Sequence, residues 1–424
     1  MSGEVQTANY RAELCVVGLG YIGLPTATLF SQKFQQVLGY DIDSEKVETI
    51  NRGSSPFSET NFEPILADAI RTKSLMASTS LSPADCYIIA VPTPLGEDKK
   101  ADVSAIESAI RNIATMLRGD ELVVIESTSP PKTTQRMRDL LRHLRPELKI
   151  DVGADREVSV IYCPERVIPG AMVAEFVAND RIVGGDTSNG RSRGKALYEK
   201  LVKGEIFLTD SMTAEMVKLT ENTFRDLNIA FANQLSTIAD GLDIDVWKLI
   251  ELANRHPRVN ILRPSPGVGG HCIAVDPWFI ARDFPESSSL IREARAVNDS
   301  KPTWVARKIL ECYSRRECQE IYIYGLTFKP NVDDLRGSPA VEIVQNIAKR
   351  VPEASITVVD PYVKNLPLEL GNLENVVLRS EVTEPPDDSL SIFLVAHDDF
   401  RVLARSLSGS ANVLDFVGIF ANLG

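Results

Sequence analysis

"ELCVVGLGYIGLPTATLFSQKFQQVLGYDID" occupies residues 13–43. Its opening is a short apolar run that ends on Gly18, as a buried strand does. Gly18-x-Gly20-x-x-Gly23 then leads into a segment with helical spacing, and "QVLGYDID" reads as a second strand closing on Asp41. The unit is strand–helix–strand. Glycines at these three places permit a tight turn, close approach of backbone to a pyrophosphate, and close packing of helix on strand. The helix start offers unpaired N–H groups to the anion. An acid at Asp41 accepts hydrogen bonds from a ribose hydroxyl pair and repels a 2′-phosphate, which points to NAD rather than NADP. The plainer reading is a glycine turn in a structural βαβ unit.

The same pattern recurs at "CYIIAVPTP" (86–94), "ELVVIESTSPP" (121–131) and "SVIYCPER" (159–166). Near-continuous apolar strands separated by helices predict a parallel sheet covered on both faces. From Asp210 the text turns helical, and Val217, Phe224, Leu227 and Phe231 fall near one stripe, expected to be a buried seam. Alternation returns at "EIYIYGLTF" (320–328), "SITVVDPYV" (355–363), "SLSIFLVAHDDF" (389–400) and "NVLDFVGIF" (412–420). The fold class is therefore α/β. A polar tail (1–12) precedes a Rossmann dinucleotide-binding domain (13–209). A central helical domain (210–315) and a smaller Rossmann-like α/β domain (316–424) complete the expected order.

Composition limits the function. The chain has 424 residues, 44% hydrophobic and 25% charged, with net charge -12. No Lys/Arg run is dense enough to track a phosphate backbone, so nucleic acid is not an expected partner. The polar start lacks the apolar core of a signal peptide, and no stretch approaches a membrane span. Six scattered cysteines without a CxxC pair suit a reducing cytoplasm, and four histidines leave little for a metal site, so none is expected.

Candidate site residues lie where strands and helices end. Thr93 and Thr128 follow strands and are candidates to touch the cofactor, although each also suits an ordinary Pro-rich turn. Glu165 projects from a strand end, either as a general base or as an exposed loop carboxylate. Lys218, Asn222 and Arg225 are spaced to share one helix face, either a solvated surface or a polar site where Lys218 and Asn222 donate to a developing oxyanion. In "GVGGHCIAVDP" (267–277), Gly267, Gly269 and Gly270 remove side chains just before Cys272, and Asp276 follows. The expectation is that these glycines let a bulky substrate approach the sulfur. A lone cysteine is more often a buried hydrophobe than a nucleophile. Beside an NAD signal it gains a role. A thiolate adds to an aldehyde, and the thiohemiacetal can lose a second hydride and become a thioester. Water, activated by a carboxylate, then releases an acid.

"GLGYIGLP", "VPTP", "CPER", "KLTENTFRDLNIAFANQL", "GVGGHCIAVDPWF" and "GLTFKPNVDDLRGSPA" together resemble the UDP-glucose/GDP-mannose 6-dehydrogenases. The similarity runs from about Glu13 to Gly418. It implies four-electron oxidation of a nucleotide sugar at C6, with two NAD per turnover and no release of aldehyde. Within the family, "NRHPRVNIL…GVGGHCIAVDPWF" is most similar to the UDP-N-acetyl-D-mannosamine dehydrogenases, with UDP-N-acetylglucosamine or UDP-glucose as alternative substrates. The resemblance implies that Tyr21, Ile22, Asp41, Thr93, Thr128 and Arg336 contact NAD. It further implies that Arg166, Val167, Lys218, Asn222, Arg225, His256, Arg258 and the glycines before Cys272 line the UDP-sugar, with Phe328 and Lys329 on its far side. A homodimer is expected, since in relatives the central helices pair and an arginine resembling Arg258 can come from the neighbour. One departure is Val417, where relatives usually carry a basic residue. Two further readings stand beside this one. They are a two-electron dehydrogenase of the hydroxyacid type, in which Cys272 has no role, and a nucleotide-sugar sensor without turnover.

Overall fold

The computed structural model describes residues 11–422 except 58, 60, 169, 316, 317 and 319. The expected polar tail falls mostly on residues 1–10, outside the described residues; Ala12 already belongs to the first strand. Contacts divide the chain into two compact units, one ending at Thr220 and the other beginning at Glu221. No helix among the described residues is long and apolar enough to cross a membrane.

The first unit is built on eight strands: β1 (Ala12–Val17), β2 (Val37–Tyr40), β3 (Leu75–Ser78), β4 (Ala84–Ile89), β5 (Leu122–Ile125), β6 (Ser159–Tyr162), β7 (Arg181–Gly185) and β8 (Ile206–Thr209). Their order is β3-β2-β1-β4-β5-β6-β7-β8, parallel except where β7 runs antiparallel to β6. Strand periodicity explains why both faces are apolar. Leu14, Val16, Ile88, Val124 and Ile161 enter one core, while Cys15, Val17, Ile89, Val123 and Val160 enter the other. A run apolar at every position is what such a two-sided strand requires. Strands β3, β7 and β8 are too short or too mixed to stand out in the sequence.

The second unit carries a five-stranded sheet of β9 (Glu320–Tyr324), β10 (Ser355–Val359), β11 (Val376–Arg379), β12 (Leu390–Phe393) and β13 (Val413–Asp415). Its order, β11-β10-β9-β12-β13, repeats that of the first five strands, and all four pairings are parallel. The two α/β units are thus copies of one architecture.

The helix Ser211–Gly241 runs through the boundary between the units. Asp210 opens it by accepting hydrogen bonds from the Thr213 N–H and hydroxyl. Its burial reverses the expected seam. Phe224 (65% exposed) and Phe231 (51%) lie open, and Val217 and Leu227 are half-buried. The buried face instead carries Glu215, Asn222, Asp226 and Asn233 beside Ala214, Leu219 and Ala230. These polar groups are buried because they are paired. Asp226 receives hydrogen bonds from Arg295 (2.6 Å) and Asn298 (2.8 Å) of the helix Ser289–Ser314. Asn233 accepts the Ser265 N–H (2.8 Å) and donates to Asn298 (2.9 Å), which fixes the start of the glycine loop.

Candidate functional site

In the first unit, the site residues gather at the carboxyl ends of β1, β4, β5 and β6, where ligands of open α/β sheets bind. Gly18 has φ of +94°, and a Cβ there would stand 2.5 Å from the Ala90 carbonyl oxygen. A Cβ on Gly23 would stand 1.8 Å from the Gly18 oxygen, so both positions are closed to any other residue. A Cβ on Gly20 would meet nothing within 4 Å. That is the arrangement a pyrophosphate needs: two glycines to make the turn and one at an open approach. Ile22 precedes the first helix (Gly23–Phe30), whose N–H groups begin there. Tyr21 stacks on Phe57 at 4.4 Å between centroids.

Asp41 stands at the end of β2. It accepts the Leu19 N–H (2.8 Å), the Asp43 N–H (3.0 Å) and the Lys46 ammonium (3.0 Å). Burial works against its charge, but these hydrogen bonds prevail and hold its pKa below the ordinary value. An ionised acid in this place fits a ribose diol. Thr93 donates to the Thr128 carbonyl (2.7 Å), and Ser127 bonds the Val91 N–H and carbonyl, so the two loops after β4 and β5 are one rigid rim.

Glu165 is not the exposed loop carboxylate that its Pro-flanked position suggested. It is 7% exposed, accepts the Arg166 N–H (2.6 Å) and pairs with Arg181 Nη1 (2.7 Å). Arg181 is itself buried, and its guanidinium lies 4.1 Å over the Phe176 ring. Beside them Glu126 accepts from Tyr198 (2.7 Å) and Thr26 (3.3 Å). Burial, with the charge of Glu165 adding to it and Arg181 opposing, pushes the Glu126 pKa up to about 7. This cluster was missed from the sequence. Glu126 and Arg181 sit in strand-end text that gives no sign of their meeting. Arg166 donates to the Asp180 carbonyl (3.0 Å), and Val167 packs on the adjacent core.

In the second unit, Cys272 is exposed on the turn that enters the helix Asp276–Asp283. Its carbonyl accepts the N–H groups of Val275 (3.0 Å) and Asp276 (2.8 Å), so the sulfur-bearing residue is fixed one turn before the acid. Asp276 is buried and accepts a 2.5 Å hydrogen bond from Asn222 Nδ2. Asn222 and Asp276, 54 positions apart, are thus joined. Lys218 is half-buried one turn earlier on the same long helix, whereas Arg225 is exposed.

The glycines before Cys272 correct an expectation. A Cβ on Gly267 would stand 2.8 Å from Pro339, one on Gly269 2.5 Å from the Gly337 oxygen, and one on Gly270 2.9 Å from the Phe328 ring. Their missing side chains make room for the protein's own Pro339, Gly337 and Phe328, not for a substrate. The reason is that the loop must lie flat against the 328–339 segment. Lys329 sits beside Phe328 on that segment. Arg336 is held by both oxygens of Asp334, at 2.9 and 2.6 Å. His256 and Arg258 lie exposed on the turn after the helix Val246–Ala253. Val417 packs against the core cluster that contains Tyr324, Phe393 and Phe400, and its N–H goes to Asp415 (3.0 Å).

Three models of the UDP-glucose/GDP-mannose dehydrogenase family match this chain: the NAD binding domain at residues 12–202, the central domain at 212–300 and the UDP binding domain at 322–422. An NDP-N-acetyl-D-galactosaminuronic acid dehydrogenase of Ralstonia nicotianae is 46% identical over 410 residues, covering 96% of each chain. The UDP-N-acetyl-D-mannosamine dehydrogenase of Escherichia coli is 45% identical over 419 residues, covering 96% of this chain and 99% of its own. Among solved structures, the UDP-D-ManNAc dehydrogenase from Pyrococcus horikoshii superposes with a TM-score of 0.84 at 35% identity, covering 97% of this chain and 96% of its own.

Proposed function

The chain belongs to the UDP-glucose/GDP-mannose dehydrogenase family, and on that footing we propose that it oxidises UDP-N-acetyl-D-mannosamine at C6 to the uronate. It is an NAD-dependent UDP-sugar dehydrogenase. One primary alcohol, two NAD and one water become one carboxylate, two NADH and three protons. NAD, each molecule of which would accept one hydride, would be held by Gly18, Gly20, Tyr21, Ile22, Gly23, Asp41, Thr93 and Thr128, with Arg336 as a further contact.

The observation that carries the reading is the fixed order Cys272, Asp276, Asn222. The Cys272 thiolate attacks the C6 aldehyde and forms a C–S bond, and its carbonyl π electrons become an alkoxide. Lys218 and the second N–H of Asn222 donate to that oxygen. Asp276, turned by Asn222, keeps the polarity beside the sulfur fixed while the hemithioacetal is oxidised to the thioester. Glu165, immobilised by Arg181, takes a proton from the water that cleaves the thioester and returns the thiol. Arg166, Val167, Arg225, His256, Arg258, Phe328 and Lys329 supply the sugar-nucleotide contacts. Gly267, Gly269 and Gly270 act through the shape they give the loop.

We propose a homodimer, supported by the open face of the long helix, which presents Phe224, Phe231 and Ile238 at seven-residue intervals. Arg258 then serves the neighbour's site. We read the enzyme as cytoplasmic, since six free thiols and a demand for NAD suit a reducing compartment. A second reading has one observation behind it. The Ralstonia nicotianae relative is named for a galactosaminuronic acid, so a galacto-configured hexosamine is the competing substrate.

The test is NADH yield with limiting sugar nucleotide: UDP-N-acetylmannosamine beside the N-acetylglucosamine, N-acetylgalactosamine and glucose analogues. Two NADH per molecule with the first alone supports the proposal. Two with the galacto sugar alone overturns the epimer, and one NADH per sugar removes Cys272 from the mechanism.

A further inference from the structure

The second sheet repeats the first down to single hydrogen bonds at the strand ends. Gly18 and Gly325 share φ of +94°, and their N–H groups reach the last carbonyls of the neighbouring strands, Tyr40 (2.8 Å) and Val359 (2.9 Å). The next N–H goes to an acid in each case, Leu19 to Asp41 (2.8 Å) and Leu326 to Asp360 (2.7 Å). The other oxygen accepts from Asp43 (3.0 Å) in one copy and Tyr362 (2.9 Å) in the other. The copies part at the remaining side of the carboxylate. Asp41 meets Lys46, which is half-buried, whereas Asp360 meets a fully buried imidazole, His397.

His397 is tied on both ring nitrogens. Nε2 faces Asp360 Oδ2 (3.2 Å) and Thr327 Oγ1 (3.3 Å), and Nδ1 accepts the Asn331 N–H (2.9 Å). A backbone N–H can only donate, so Nδ1 carries no proton and the neutral ring carries its hydrogen on Nε2, towards Asp360. The ring stacks on Tyr362 (4.9 Å) and meets Phe400 at its edge (5.1 Å), which leaves it no other pose. Thr327 passes the chain on by donating to the Lys329 carbonyl (2.9 Å). Asn331, held at φ of +60°, exchanges two more bonds with Asp398 (2.7 and 3.0 Å). The whole run Leu326–Asn331 therefore hangs from the Asp360–His397 pair, and it includes Phe328 and Lys329.

We infer that His397 is a positioning residue for the UDP-sugar. It acts through the Leu326–Asn331 loop, whose backbone it anchors at Asn331 while committing Asp360 to the loop's other end. The inference rests on the proposal that Phe328 and Lys329 meet the nucleotide. Where the first unit keeps an open glycine approach for a ligand, the second unit has a fixed loop that brings two side chains to one.

The test compares His397→Asn, His397→Gln and His397→Ala in the full chain. Asparagine places an acceptor near the Nδ1 position, and glutamine reaches the Nε2 position instead. UDP affinity, measured by calorimetry, falls at least ten-fold in the Ala and Gln variants and stays within about three-fold of the parent in the Asn variant. NAD affinity is unchanged in all three. KM for the sugar nucleotide follows UDP while kcat does not, and amide exchange across 326–331 speeds up in the Gln variant only, when it is set beside the Asn variant. Where the Ala variant fails to fold, the Asn and Gln pair decides. Equal UDP binding by the parent and the Gln variant, or rescue by Gln and not Asn, overturns the inference. A parent chain that does not bind UDP overturns the nucleotide reading of the loop, and this inference with it.

Discussion

Arg181→Met should destabilise the first unit by about 3–5 kcal/mol, the cost of leaving a buried charge without its partner. The size follows from the surroundings. Arg181 is 1% exposed, pairs with Glu165 at 2.7 Å, and lies between the rings of Phe176 and Tyr198 at 4.1 and 5.4 Å. Methionine fills the space between those rings, so the cavity contribution is small and the loss is electrostatic. Glu126 and Glu165 would then share one apolar pocket with no cation against them, which neither can escape by moving to solvent. Urea unfolding followed by circular dichroism reads the change. With a slope of about 3 kcal/mol/M, the midpoint should fall by roughly 1–1.7 M. Adding Glu165→Gln to Arg181→Met should recover at least about 2 kcal/mol, because the uncompensated charge is gone. A loss below about 1 kcal/mol, or strict additivity in that double mutant, would refute the claim that the two side chains form one electrostatic unit.

Four other outcomes are expected. Glu126 is held at about 7, above its ordinary 4.5, so the folded state binds its proton more tightly than the unfolded chain does. That contribution is full below about pH 4.5 and is lost as pH rises through 7. Glu126→Gln should therefore flatten stability across this window by about 2–3 kcal/mol, seen in melts from pH 5 to 8. Gly23→Ala, with its Cβ forced to 1.8 Å from the Gly18 oxygen, should weaken NAD at least ten-fold by calorimetry and leave UDP affinity unchanged. Cys272→Ala should lose about three orders of magnitude in acid formation, and quenched reactions should hold no enzyme-bound acyl group. Phe231→Asp, at a position 51% exposed on the long helix, should shift sedimentation from dimer to monomer.

Residues 13–43 determined the nucleotide-binding half by themselves. Strand, turn glycines, helix and acid lie within one short run, so local sterics and periodicity specify them without help from elsewhere. The Cys272–Asp276 pair was legible for the same reason, since four residues of turn and a helix start join them. Asn222 was legible only as a member of a helix face. Its bond to Asp276 crosses 54 positions, a distance at which spacing carries no information.

Tertiary structure alone decided which face of the long helix is inside. Hydrophobic periodicity placed Phe224 and Phe231 in a seam, but Asp226 and Asn233 lie buried, hydrogen-bonded by Arg295, Asn298 and Ser265. A polar stripe goes inward only when a matching stripe awaits it, and that match lies some seventy residues away on another helix. The glycines before Cys272 repeat the lesson. Their spacing announced close approach, but Pro339, Gly337 and Phe328 decided what approaches. Glu165, Arg181 and Glu126 met for the same reason. Three strand ends converge in one sheet, and only the strand order brings their charges together.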